Sequence, residues 1–118
     1  MNRTVTFYRT ADGKCPLEVF LDSLSGRTAQ KVTWVLRLLE ELEVVPSSYL
    51  KKLVNTEEIW ECRVQYGSKS IRILCFFADN SSVVLTHGFL KKSRKTPVKE
   101  IERAEAYRRD FIRRRIKL

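Results

Sequence analysis

The stretch "HGFLKKSRKTP", His87 to Pro97, ends an apolar run and then sets four cations, Lys91, Lys92, Arg94 and Lys95, with Lys99 just beyond as a fifth within nine residues. The chemistry that such a set can do is phosphate chemistry. Cleavage of RNA through its own 2′-OH needs a group to take that proton, donors for the charge that develops on the phosphorane, and an acid for the leaving oxygen. Lysine and arginine can supply all the charge stabilisation. A lysine crowded by other cations gives up its proton more readily and can serve as acid or base. His87 is the single imidazole of the chain. A lone histidine at a strand end is more often a satisfied structural residue, and a charge run is more often a solvated surface, so neither carries a catalytic reading alone.

A second pair of cations strengthens the pattern. "IWECRVQY" (59–66) and "KSIRILCFF" (69–77) flank Gly67-Ser68. If that turn is a two-residue hairpin loop, Arg63 lies directly across from Arg72 on one face. Like charges in that position cost stability. Either something anionic sits between them, or Glu61 or a nearby acid neutralises them. Trp60, Cys62, Val64, Ile71, Ile73, Cys75 and Phe77 then share the other face and turn towards helices, with Arg63 and Arg72 on the open side. The basic segment begins where the next strand, paired to that of Arg72, runs out. The two sets converge on one positive, concave surface, which suits a phosphodiester backbone.

Periodicity gives the helices and strands around these groups. "RTVTFYR" (3–9) alternates and reads as a strand. Pro16 suits a first helical position, and Leu17, Phe20, Leu21 and Leu24 follow at helical spacing, with Gly26 as the stop. A longer helix is expected from about Thr28 to Val44, with Val32, Val35, Leu36, Leu39 and Leu42 as its stripe. Trp34 and Leu38 lie off that stripe, as second-side packing or as a partner patch. Pro46 ends it. Residues 47–58 are polar with a few anchors. Strands follow at 59–66, 69–77 and 82–88, then a helix from about Val98 to Arg115. The expectation is one α+β domain over residues 1–118: an antiparallel sheet, two N-terminal helices packed on one face, and a C-terminal helix.

Bulk properties agree with an anionic partner. The formal net charge is +9, and it is one-sided. Residues 87–118 hold 12 Lys and Arg against 4 Asp and Glu, a net of +8, while residues 1–86 come to +1. Such asymmetry bears on docking rather than fold. The three cysteines, Cys15, Cys62 and Cys75, have no CxxC spacing and read as buried free thiols in a reducing compartment. One histidine and no clustered ligands argue against a structural zinc. Without an apolar leader or an 18-residue apolar run, a cytoplasmic location away from membranes is expected.

"IWECRV", "IRIL" and "HGFLKKSRKTPVKEIERA" together resemble the phage-derived Gp49-like proteins, which belong with the HigB-type toxins of the RelE superfamily. The resemblance covers most of the chain. It implies a RelE-like fold and a ribosome-dependent mRNA endonuclease, the toxin of a type II toxin–antitoxin pair, that cleaves translated mRNA by 2′-OH attack without a metal or other cofactor. It implies the ribosome, mRNA and a helix-turn-helix, HigA-like antitoxin as partners. Carried over by position, Arg63, Arg72, Lys91, Lys92 and Lys95 are the catalytic set. The arginines would hold the scissile phosphate and one lysine would act as base or acid. His87, Arg94 and Lys99 join them as RNA-binding residues. Arg94 stands where Gln is common and Ser93 where Thr is common. A non-catalytic RNA- or ribosome-binding module fits the same surface, and a role in a phage particle rests on the family's origin alone. An acidic antitoxin segment would cover residues 87–99 or wedge against Trp34 and Leu38.

Overall fold

Gly67 sets the register of the central hairpin. Its φ is +59°, the left-handed value that a two-residue hairpin loop needs and that glycine adopts without a steric penalty. The flanking strands, β3 (Trp60–Tyr66) and β4 (Lys69–Asp79), pair antiparallel with Arg63 opposite Arg72, as the turn predicts. The computed structural model describes residues 3–116. Before this hairpin come β1 (Thr4–Phe7), α1 (Pro16–Asp22), α2 (Gly26–Glu41) and β2 (Leu50–Lys52), and after it β5 (Ser82–Leu90) and α3 (Val98–Ile116).

The five strands form one sheet in the order β1-β5-β4-β3-β2. It is a mixed sheet, which corrects the wholly antiparallel expectation: β1 runs parallel to β5, with Thr4 beside Ser82 and Phe7 beside Leu85. A parallel pair needs a long connection between its strands. Here everything from α1 to β4 lies between them, so the chain can return to β1 in either direction. Among the described residues no helix is long and apolar enough to cross a membrane.

Local sequence explains the helix boundaries. Pro16 opens α1 with its φ preset. Ser25 caps α2, its Oγ accepting from the Thr28 amide at 3.3 Å. Gly26 therefore opens the second helix rather than merely stopping the first. The Arg3 guanidinium donates to the carbonyls of Leu39 (3.2 Å), Leu42 (2.5 Å) and Glu43 (2.6 Å) at the end of α2. Those carbonyls have no partner within the helix, so the start of β1 satisfies them.

Alternation in the strands sorts side chains into two clusters. Cys62, Val64, Ile71, Ile73, Cys75, Val83 and Leu85 pack with Leu17, Val32, Val35, Leu36 and Leu39 of α1 and α2. Leu74, Phe76, Val84 and Phe89 pack with Ala104 of α3, and with Ile101, Tyr107 and Phe111 at its margin. β4 is apolar almost throughout because both of its faces are covered over much of its length. All three cysteines are free and buried. Burial pushes the Cys62 thiol up to about 12 and raises that of Cys75, so both behave as apolar filler.

β5 carries one irregularity that matters below. Leu74 pairs with His87 but Cys75 with Leu85, so Thr86 is an extra residue, a β-bulge. Two residues on, Gly88 lies beneath Phe20 of α1, and a Cβ there would fall inside contact distance of three atoms of the ring. Gly88→Ala is expected to destabilise the fold by about 1–3 kcal/mol, the usual cost of overpacking. Urea midpoints should show that loss, and it should shrink in a Phe20→Leu background.

Candidate functional site: a basic cleft on a buried carboxylate

Glu61 organises the site. It precedes Arg63 by two residues on β3 and therefore shares its face. Its side chain is 0 % exposed, and its Oε1 lies 3.0 Å from Arg63 Nε and 3.6 Å from Arg72 Nε. Its Oε2 accepts from the Thr96 hydroxyl. Of the two resolutions open to facing arginines, the structure contains the internal one: a carboxylate of the same face neutralises them. The Arg72 side chain is 15 % exposed and its Nη1 donates to the Ile71 carbonyl at 3.0 Å. Burial lowers its pKa, opposed by the Glu61 charge and aided by Arg63. Two guanidiniums on one carboxylate still leave the cluster positive.

Thr96 extends the arrangement to the basic segment. Residues 91–97 are held at their start by Lys91 N–H donating to the Ser70 carbonyl (2.7 Å). They are held at their end by Thr96 on Glu61. Between these ties Ser93 Oγ donates to the Lys95 carbonyl (2.9 Å). The segment is thus pinned over the sheet face that carries the arginines.

A cleft of about 700 Å³ opens there. It is lined by Arg63 and Glu61 of β3, by Lys91, Arg94, Lys95 and Thr96, by Lys51 and Lys52 of β2, and by Glu102 and Glu105 of α3. The structure therefore brings Arg63, Lys91, Lys95 and Arg94 together. Arg72 stands beside Arg63 in an adjoining pocket. Lys92 and Lys99 are exposed and do not line the cleft.

His87 is not on this surface, which corrects its assignment among RNA-contacting residues. It is 1 % exposed. Its Nδ1 lies 3.1 Å from Thr86 Oγ1, and its Nε2 lies 3.1 Å from Glu100 Oε1. Thr86 in turn hydrogen-bonds the Leu74 carbonyl at 2.8 Å. The bulge at Thr86 places this imidazole beneath the first turn of α3, where it ties helix to sheet. Burial, with the nearby Arg103 charge, lowers its pKa to about 4 against the pull of Glu100. The ring is neutral at pH 7.

Five contributors do not stand out in the sequence: Lys51, Lys52, Thr96, Glu102 and Glu105. "YLKK" held the signal for the first two, since its adjacent lysines follow two anchoring residues. Thr96 carried none beyond its place before a proline.

Replacing Glu61 by Gln keeps the shape and removes the charge on which both guanidiniums rest. Glu61→Gln should cost about 2–4 kcal/mol of stability, as breaking a largely buried ion pair does, measured by urea unfolding. The His87 shift gives a pH dependence. The unfolded imidazole titrates near 6.5 and the folded one near 4, so between those values the unfolded chain binds a proton that the folded chain does not. Its contribution is fully present above pH 6.5 and is lost as pH falls towards 4, about 3 kcal/mol in all. Unfolding free energies at pH 7.5 and 5 should fall less steeply with pH in His87→Asn than in the wild type.

Comparison with known proteins follows this geometry. No curated protein matches the chain. One family model does, that of the phage-derived proteins like Gp49, over residues 19–109, from within α1 to within α3. The match takes in the paired arginines, Glu61, the basic segment and Thr96, and on it the chain belongs to the Gp49-like family of phage-derived proteins.

Proposed function

We propose that this protein is the toxin of a type II toxin–antitoxin system, a RelE-like, ribosome-dependent endoribonuclease that cuts translated mRNA. The observation that carries the reading is the convergence of Arg63, Lys91, Arg94 and Lys95 on one cleft, with Arg72 beside Arg63 and both arginines fixed by Glu61. Fixed cations stabilise charge that develops on a phosphate without reorganising during the reaction. In the step proposed, a lysine of the cleft takes the 2′-OH proton and O2′ attacks the adjacent phosphorus. The P–O5′ bond breaks, and O5′ takes up a proton. The products are a 2′,3′-cyclic phosphate and a 5′-OH. Arg63 and Arg72 hold the non-bridging oxygens, and Lys91 or Lys95 serves the proton transfers. Lys92, Arg94 and Lys99 add contacts to the phosphate backbone of mRNA or ribosomal RNA.

The partner proposed is a helix-turn-helix antitoxin with an acidic segment that covers the 87–99 region. The net +8 of residues 87–118 supports such a charge match. A second reading, a non-catalytic RNA- or ribosome-binding module, is favoured by one observation. The chain's single imidazole is buried against Glu100, away from the cleft, so proton transfer would fall to lysines alone.

Induced expression in a bacterial host separates the two. The nuclease reading expects growth arrest and new mRNA 5′ ends inside translated codons, mapped by primer extension. Both should be lost in Lys91→Ala/Lys92→Ala. In Arg72→Ala they should fall about 10²–10³-fold, the usual effect of removing one stabilising donor. Unbroken mRNA alongside salt-sensitive RNA binding would leave the binding module, and a folded, fully toxic Arg72→Ala protein would overturn the assignment of the arginines.

A further inference from the structure

Trp34 lies on α2, outside the stripe that packs on the sheet, and it is 46 % exposed. It is not isolated. The Lys31 ammonium sits 4.7 Å from the centre of its ring. Tyr49 meets it edge to face, with 6.1 Å between ring centres and 75° between planes. Both neighbours of Trp34 line a second pocket, of about 410 Å³, together with Ser48, Gln65, Arg63 and Arg72. Arg63 lines both this pocket and the larger cleft, so the two adjoin at that residue.

The composition of the second pocket differs from that of the first. The cleft mixes lysines and arginines with three carboxylates, Glu61, Glu102 and Glu105. The pocket has a half-buried aromatic ring, one lysine and two arginines, and no acidic residue in its lining. A cation-rimmed hollow with an aromatic wall matches a nucleotide: the phosphate meets guanidinium or ammonium, and the base stacks on the ring. Its volume falls within the range of small-molecule sites, about 300–1,000 Å³. Arg72 Nε is buried towards Glu61 at 3.6 Å, outside hydrogen-bond distance, and an anion on the outer N–H groups of this guanidinium would add to that partial compensation.

We propose that the Lys31–Tyr49–Arg63–Arg72 pocket is a nucleotide subsite for single-stranded RNA. It would take the nucleotide adjacent to the phosphate held in the cleft, with the base stacked on Tyr49. Trp34 acts as a positioning residue, supporting the Tyr49 ring and the Lys31 ammonium together. The proposal rests on the reading of the cleft as an RNA surface and adds a direction to it: the strand leaves the cleft past Arg63 towards α2.

The test uses the purified full chain and a fluorescein-labelled single-stranded RNA 10-mer, followed by fluorescence anisotropy across a salt series. Tyr49→Ala should bind about tenfold more weakly, the order of one lost base–aromatic stack, with an unchanged salt slope, while Tyr49→Phe should bind as the wild type does. Lys31→Ala should reduce the salt slope by about one. Should Tyr49→Ala fail to fold, the Lys31→Ala slope decides. Lys95→Ala, at a residue that lines the cleft and not the pocket, tests the cleft itself. If the wild type does not bind, or Lys95→Ala binds equally well, the RNA surface fails and the subsite with it. If Lys95→Ala weakens binding but Tyr49→Ala and Lys31→Ala leave it unchanged, the subsite alone is overturned.

Discussion

The Glu61 carboxylate is the contact on which the functional face depends. An ion buried in a protein costs several kcal/mol in lost hydration unless geometry repays it. Here the repayment comes from two guanidiniums and a hydroxyl, reached from three separate segments. Without that charge, Arg63 and Arg72 would face each other across the hairpin with only their repulsion. With it they are held near one another, and the group still has an excess of one positive charge. The sheet thus presents two oriented cations at a fixed spacing, which flexible surface lysines cannot do.

The same carboxylate links sheet to loop. Thr96 ties the end of the basic segment to Glu61, and four residues later Glu100 reaches His87. α3 then continues over the same face, with Phe111 edge to face on Phe76 (5.4 Å) and Tyr107 stacked on Tyr8 (4.6 Å). One run of chain is therefore anchored first by a polar contact, then by a buried imidazole, then by aromatic packing. Lys91, Arg94 and Lys95 occupy the stretch before these anchors, so their backbone is fixed while their side chains remain free to meet a ligand. Preorganisation of that kind is what a surface meant to hold developing charge requires.

Much of this was legible in the residues, for identifiable reasons. Gly67-Ser68 between an alternating strand and a nearly continuous apolar one forces the Arg63–Arg72 register, and the alternation of β3 puts Glu61 on the same face. The α2 stripe, Val32 to Leu39, reads directly as a buried face. Other features were not legible. β2 is three residues long, too short to show a period. The direction of β1 depends on a pairing across most of the chain, which no local pattern encodes. The burial of His87 follows from a one-residue bulge at Thr86 and from the helix that then covers it. An imidazole written four residues before paired lysines looks like their companion, and the fold separates them.

The basic tail also resolves into two populations, and their difference bears on function. On α3, Arg109 pairs with Glu57, Arg113 and Arg114 pair with Asp110, and Arg115 approaches Asp79 at 4.0 Å. These exposed pairs add little stability, but they cancel positive potential along the helix. Lys91, Lys92, Arg94, Lys95 and Lys99 make no ion pair among the described residues. Arg103 and Arg108 of α3 likewise make no ion pair among the described residues, and Arg113 and Arg114 share one carboxylate, so uncompensated charge lies both along the helix and on the segment beside the cleft. On the proposed function, a polyanion drawn in by that field would meet the lysines first and the fixed arginines second. Long-range attraction comes from mobile charges and positioning from immobile ones, and Glu61 keeps the second group immobile.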